Sequence, residues 1–205
     1  MIVAAVVILA LAQAPAGSTT LSGQVLDAGG RPAVGVDVLL SGLGQRTGRP
    51  VLSRAKSDQE GRFRIDVPAE KDLGRARFLL ALWAYSPKEG LAGQAFSPSA
   101  LPAPGSLQLK LGGPAHTAVR VSGPDGKPVA GARVAPVMVR VVGGVRPRST
   151  FPPPDSLADL LAATTDADGK GQMHGCRAED VEAVWVEAAG FGRQGSELSP
   201  GAGGD

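Results

Sequence analysis

Val25-Leu-Asp-Ala-Gly-Gly30-Arg-Pro32-Ala-Val-Gly35-Val-Asp-Val38 returns, in pattern, as Val121-Ser-Gly-Pro-Asp-Gly126-Lys-Pro128-Val-Ala-Gly131-Ala-Arg-Val134. In both copies Gly-x-Pro-x-x-Gly separates two apolar segments that alternate with a period of two. Glycine supplies a positive φ and proline presets its own φ, so each copy reads as a turn between half-buried strands. Each is followed by an acidic turn, Asp58-Gln-Glu-Gly61 in the first and Asp166-Ala-Asp-Gly169 in the second. An internal repeat sets the architecture before any single residue does. Here it predicts an all-β chain of two small modules in tandem, with Gly30, Pro32, Gly35, Asp58, Gly61, Gly126, Pro128, Gly131, Asp166 and Gly169 as structural turn residues.

The chain of 205 residues is long enough for two domains of about 100 residues each. Glycine (29) and proline (17) exceed a fifth of the chain but fall at turns within alternating patterns, which marks turn-dense β structure rather than disorder. The first module is expected over residues 21–112 and the second over 115–195, with a boundary at Gly112-Gly113-Pro114. In the first, Phe63, Ile65 and Val67 alternate with Arg62, Arg64 and Asp66 as a one-sided strand. Arg77 to Tyr85 is continuously apolar and reads as a core strand, although a helix of that length fits as well. Residues 86–105 read as loop, and Leu107, Leu109 and Leu111 as the closing strand. In the second, Val134 to Val142 contains Pro136, which suggests an edge strand or a bulge. Asp155 or Ser156 could cap a short helix with Leu157, Leu160 and Leu161 on one face. Val184, Val186 and Ala188 form a late strand ending at Gly190-Phe191. Nothing after Gln194 matches Leu107/Leu109/Leu111, so the second module is expected to lack its last strand: an edge is left for a partner, or the chain is truncated. Residues 196–205 are expected to be a disordered tail.

The apolar run from Met1 to about Ala12 ends in small residues and reads as a signal peptide over 1–14, without the usual basic start, followed by a linker over 15–20. No other segment could span a membrane. Net charge is +2 with both signs interspersed, and the densest basic clusters, Arg75/Arg77 and Arg146/Arg148, are too short for the basic stripe of a nucleic-acid binder. The single cysteine, Cys176, rules out an intrachain disulfide and reads as a buried small apolar residue.

Taken together, Gly-x-Pro-x-x-Gly-x-x-Val, then [Thr/Ser]-Asp-x-[Asp/Glu]-Gly, an alternating strand and an apolar strand ending near Gly-Phe resemble the carboxypeptidase regulatory-like domain. The resemblance covers about residues 20–111 and 117–194. It implies a seven-stranded transthyretin-like, Ig-like β-sandwich for each module, related in architecture to starch-binding and collagen-adhesin repeats. In that family the domain is an accessory of metallocarboxypeptidases and not their catalyst. Similar modules occur in exported bacterial proteins as spacers, accessory domains or carbohydrate-binding units. The chain departs from the pattern where Gly171 stands in place of Phe63 and where the last strand of the second copy is missing.

Candidate chemistry is sparse. A zinc hydrolase needs His and carboxylate ligands converging on one metal; His116 and His174 are far apart in sequence and lack such spacing. The related hydroxyisourate hydrolases would require a His/Arg constellation and a Tyr-Arg-Gly-Ser-type terminus, which Gly-Ala-Gly-Gly-Asp205 does not supply. Asp166-Ala-Asp-Gly169 begins like a calcium loop, but Arg177 occupies the place of the bidentate glutamate. There is no Gly-x-Ser-x-Gly elbow, and nothing singles out a pair of carboxylates for glycoside hydrolysis. Sugar binding would need exposed aromatic faces. Trp83, Tyr85, Phe96, Trp185 and Phe191 are the candidates; the two tryptophans lie within apolar strands and read as core, so Tyr85 and Phe96 are the expected ligand-binding residues. No cofactor or metal is expected. The expectation is a non-catalytic exported protein, secreted or periplasmic at the cell envelope, whose partner is an envelope or matrix protein or a polysaccharide. A carbohydrate-binding accessory module is the alternative, and a hydrolase the disfavoured third.

Overall fold

The structure, a computed structural model, describes residues 19–42, 48–69, 73, 79–141 and 149–197. The segments read as signal peptide and the basic pairs Arg75/Arg77 and Arg146/Arg148 lie outside them, as does most of the expected tail.

The first module is a seven-stranded sandwich. Its strands are β1 (Thr19–Leu26), β2 (Asp37–Gly42), β3 (Val51–Lys56), β4 (Arg62–Val67), β5 (Leu80–Ser86), β6 (Gly90–Phe96) and β7 (Leu107–Lys110). One sheet runs β4-β1-β7 and the other β3-β2-β5-β6. β7 lies parallel to β1, with Val25 opposite Leu109, and every other pair is antiparallel. Between the sheets sits a core that includes Val25, Val38, Leu40, Phe63, Ile65 and Leu111. The alternation of β4 is borne out: Phe63, Ile65 and Val67 are buried and Arg62, Arg64 and Asp66 exposed.

The second module repeats this plan with β8 (His116–Arg120), β9 (Arg133–Val141), β10 (Ser149–Phe151), α1 (Asp155–Leu161), β11 (Ala163–Thr164), β12 (Lys170–His174), β13 (Val181–Ala188) and β14 (Phe191–Glu197). β12 pairs with β8, and the second sheet runs β10-β9-β13-β14 with β11 also on β9. The edge position that β3 fills in one strand is thus filled in two pieces, β10 and β11, with α1 inserted between them. Among the described residues, no strand lies beside β8 where β7 lies beside β1.

The turns carry the repeat to atomic detail. Gly30, Gly35, Gly61, Gly126, Gly131 and Gly169 all have positive φ. The Asp58 carboxylate accepts the N–H groups of Glu60 and Arg62, and the Asp166 carboxylate those of Asp168 and Lys170. Val25 N–H then bonds Gly61 O at 2.7 Å and Val121 N–H bonds Gly169 O at 2.8 Å. Bridges Leu26–Pro32 and Ser122–Pro128 close the Gly-Pro turns.

Several expectations need correction. Residues 86–105 are not all loop: Gly90 turns the chain (φ 85°) and β6 follows. Its small residues hid it, yet they are what fit, since Gly93 lies opposite the Trp83 ring. The second module does not end at residue 195 but continues in β14 to Glu197, which pairs with β13 although Phe191-Gly-Arg-Gln-Gly-Ser-Glu197 has no apolar alternation. β9 is interior, so of the two alternatives for Pro136 the edge fails and the bulge-type irregularity holds, as register shifts in the facing strand around Ala183 and Val184. Pro154, not Asp155 or Ser156, precedes the helix, with no side-chain cap. Leu157 and Leu161 are buried one turn apart while Leu160 points to solvent.

The two modules are joined by an apolar layer of their own. Leu39, Ala81, Trp83, Tyr85 and Ala95 on the outer face of the first module's larger sheet pack on Val139, Phe151, Leu157 and Leu161 of the second. This explains the continuous apolar run in β5. Leu80, Leu82 and Ala84 face the sandwich core while Ala81, Trp83 and Tyr85 face the other module, so the strand is buried on both faces. The Trp83 indole N–H donates to Ser41 Oγ at 3.0 Å, so the buried polar edge is satisfied. At the rim, Arg49 Nε lies 2.9 Å from Asp155 Oδ1, and Arg49 N–H donates to Asp155 Oδ2 at 2.7 Å.

Candidate functional site

A cleft of about 740 Å³ lies where the two modules meet. That volume lies in the range of small-ligand sites. From the first module β6 contributes Leu91 and Gln94, and β7 contributes Gln108 and Lys110; from the second come Arg140, Arg177 and Asp180. β7 presents its two side chains because its alternate residues are committed to the core. Leu109 and Leu111 point inward, which turns Gln108 and Lys110 outward. Arg177 donates from Nη2 to Gly112 O across the module junction and pairs with Glu179 at 3.5 Å.

Charge in the cleft is predominantly positive, from Lys110, Arg140 and Arg177 against Asp180. Burial raises the Asp180 carboxyl above its ordinary pKa; neighbouring Glu179 adds to the rise, while Arg177 and Arg140 oppose it. Cys176 also lines the cleft but is 2% exposed. Burial pushes its thiol up to about 11, the Asp180 charge adds to the effect, and a hydrogen bond with Thr117 opposes it. A thiol held neutral in this way is a poor nucleophile at physiological pH. What the cleft offers is amide and cationic hydrogen-bond donors along a groove, suited to holding a polar or anionic chain.

Neither sequence-selected ligand residue is available for stacking. Tyr85 is 6% exposed, packed in the inter-module layer, and Phe96 is 6% exposed in the first module's core. A sugar face stacks only on a ring that reaches solvent, and these two rings are used in packing. Their polar sequence neighbours, Ser86-Pro87-Lys88 and Ser97-Pro98-Ser99, misled because they follow the strands rather than surround the rings. Gly175 (φ 77°) permits the Tyr85 contact: a Cβ there would meet Tyr85 Cε2 at 2.7 Å. Burial also raises the Tyr85 phenol pKa, with a smaller contribution from Cys176.

Trp83 is fully buried, as its apolar strand suggested. Trp185 occupies the corresponding place, opposite Gly195 as Trp83 is opposite Gly93, but it is only half-buried. The Arg193 guanidinium lies 4.9 Å from its ring centroid. Phe191 is 48% exposed. His116 and His174, distant in sequence, are brought directly opposite each other on β8 and β12, both exposed. Among the described residues, no three His, Cys, Asp or Glu side chains gather as metal ligands would.

No protein-family model matches the chain. No curated protein matches it. Among solved structures, a 9R-lipoxygenase from Cyanothece PCC8801 aligns at 16% identity and a TM-score of 0.30, over 61% of this chain and 14% of the lipoxygenase. The chain thus spans about a seventh of that enzyme's length. The shaft pilin SpaA of Lactobacillus rhamnosus GG aligns at 11% identity and a TM-score of 0.34, over 88% of this chain and 94% of the pilin. Likenesses at this level assign neither an activity nor a partner. The all-β fold rests on the strands themselves.

Proposed function

We propose that this chain is a non-catalytic structural or adhesive protein of the cell exterior, in which two carboxypeptidase-regulatory-like sandwiches form one rigid unit that presents surfaces to a protein partner. The observation that carries this reading is where the repeated motif spends its polar groups. The side chains of Asp58, Asp166, Ser57 and Thr165 are engaged with backbone N–H and C=O groups inside their own modules. What the repeat preserves is therefore a scaffold. The inter-module layer, which consumes Trp83, Tyr85 and Leu157, supports a fixed rather than a hinged pair.

The cationic cleft favours a second reading, a module for an anionic polysaccharide, with Lys110, Arg140 and Arg177 as its donors. Two measurements separate them. Protease treatment of intact cells should digest the protein of a scaffold at the exterior, and protection until lysis would overturn that location. Affinity electrophoresis through gels containing neutral and acidic polysaccharides should leave it unretarded. Retardation on acidic polymers that Arg177→Ala abolishes would establish the second reading instead.

A further inference from the structure

Among the described residues, the second module leaves open a slot that the first closes with its own chain. Past β7, Leu111 N–H bonds Leu26 O at 2.8 Å, Gly112 N–H bonds Leu91 O at 3.2 Å and Gly113 N–H bonds Glu89 O at 2.9 Å. The Leu111 side chain, 1% exposed, plugs the gap between β1 and β6. The repeat places Val121 at the position of Val25, Ser122 at Leu26, Val186 at Ala84 and Gln194 at Ala92. These four residues, with Ala188 and Phe191, line a cavity of about 270 Å³. Val25, beside β7, is fully buried, whereas Val121 is only partly buried. A side chain added at Gly90 would collide with Gly113 O, but one added at Gly192, near the matching place, would meet nothing within 4 Å.

We propose that this slot is a strand-acceptor site. Its occupant is an extended segment of a separate polypeptide, running parallel to β8 and anchored by one leucine-sized side chain. β-strand addition supplies backbone hydrogen bonds for affinity and a pocket for selectivity. The first module specifies the pattern: an apolar residue opposite Val121, a polar one opposite Ser122, the buried anchor, then two small residues, as in Leu109-Lys-Leu-Gly-Gly113. The segment joins beyond Val119. At the matching position Gly23 has no Cβ and lets Leu107 cross it closely, whereas Val119 carries a side chain there, packed against the second module's core. A second copy of this chain is not the donor, since each copy's Leu109–Gly113 segment is already held in its own first module. This names the partner chemistry for the interaction role proposed above and rests on it.

The test uses the full chain and a labelled synthetic peptide of residues 107–114, read by fluorescence anisotropy. Saturable binding is expected. It should weaken about tenfold or more when the peptide carries L111D, or when the protein carries Gly192→Trp, which fills the slot at an unstrained position. Far-UV circular dichroism and the thermal midpoint confirm that the variant is folded. Hydrogen exchange should slow in β8 and β14 on peptide addition and not at the inter-module cleft. Equal binding of the L111D peptide, binding undiminished in Gly192→Trp, or no binding overturns the slot. Self-association that the peptide displaces assigns it to a second copy and overturns the separate partner. A chain that is exposed on cells yet ignores the peptide keeps the scaffold reading and loses this one.

Discussion

The Ser57 hydroxyl in the first module and the Thr165 hydroxyl in the second make the same pair of hydrogen bonds. Ser57 Oγ accepts Val36 N–H at 2.9 Å and donates to Ala33 O at 2.7 Å. Thr165 Oγ1 accepts Ala132 N–H at 2.9 Å and donates to Val129 O at 2.7 Å. Each ties the strand before the acidic turn to the chain just past the Gly-Pro turn, so both signature turns of a module are locked to each other through one buried hydroxyl.

Removing that hydroxyl strands a buried amide. Ser57→Ala and Thr165→Val are each expected to destabilise by about 1–3 kcal/mol, the range for an unsatisfied buried donor. Ser122→Ala, at an exposed site, should stay within about 0.5 kcal/mol. Urea denaturation monitored by tryptophan fluorescence reads all three. Equal effects at Ser57 and Ser122 would mean that the paired hydroxyls are incidental.

The glycines of the two turns should separate into two classes. At Gly35 and Gly131 (both φ 70°) an added Cβ meets nothing, so alanine incurs only the left-handed backbone penalty of about 1–2 kcal/mol. At Gly61 and Gly169 (both φ 71°) the Cβ would also press on the carbonyl oxygens of Val25, at 2.6 Å, and Val121. Gly61→Ala and Gly169→Ala should therefore exceed their counterparts by a further about 1 kcal/mol or more, since crowding against backbone cannot relax cheaply. Thermal melts of the four single variants give the ordering, and a reversed order would refute the crowding account.

How much of this was legible in the sequence depends on whether a residue's partner is local. The turns were, because φ and Asx chemistry are set within four residues: Gly30, Pro32, Asp58 and their counterparts lie where the pattern put them. One-sided β4 was, because its alternation faces a core on one side and water on the other. β6 and β14 were not, since neither Gly-Leu-Ala-Gly-Gln-Ala-Phe96 nor Phe-Gly-Arg-Gln-Gly-Ser-Glu197 alternates, and the glycines that Trp83 and Trp185 face are set by pairing across the sheet. The candidate site was the least legible. Tyr85 and Phe96 look exposed beside Ser-Pro neighbours, and only the docking of α1 and β10 reveals that Tyr85 is covered. The meeting of His116 with His174 likewise depends on β8–β12 register, which no short-range signal sets.

The Cys176 thiol makes stability fall on the alkaline side. Its folded pKa is raised from 9.0 to about 11. Its contribution is fully present below the ordinary thiol value and is lost as pH rises through the folded one, because the unfolded chain releases the proton first. Denaturation midpoints measured between those two values should decline in the native protein and decline less in Cys176→Ala. A disulfide reagent at pH 8 should label the thiol only after denaturant is added; rapid labelling of the folded chain would contradict its burial.

The inter-module layer should dominate over the ion pair at its rim. Leu157→Ala opens a cavity beside Trp83 and Leu161, and a buried leucine truncation costs about 2–5 kcal/mol. Arg49→Ala removes a pair whose carboxylate is 53% exposed, so solvent screening limits its effect to about 1 kcal/mol or less. For Asp155 itself, partial burial raises the pKa, but the Arg49 hydrogen bonds and charge outweigh it and hold the carboxyl below 3.8. The contribution of the pair is thus present above that ordinary value and disappears as pH falls through the lowered one. Calorimetry distinguishes the two effects. The native chain should unfold in one transition, Arg49→Ala in one transition slightly earlier, and Leu157→Ala in two as the modules lose their shared layer. A single, barely shifted transition in Leu157→Ala would show that the modules are held by something other than the packing of Trp83, Tyr85 and Phe151.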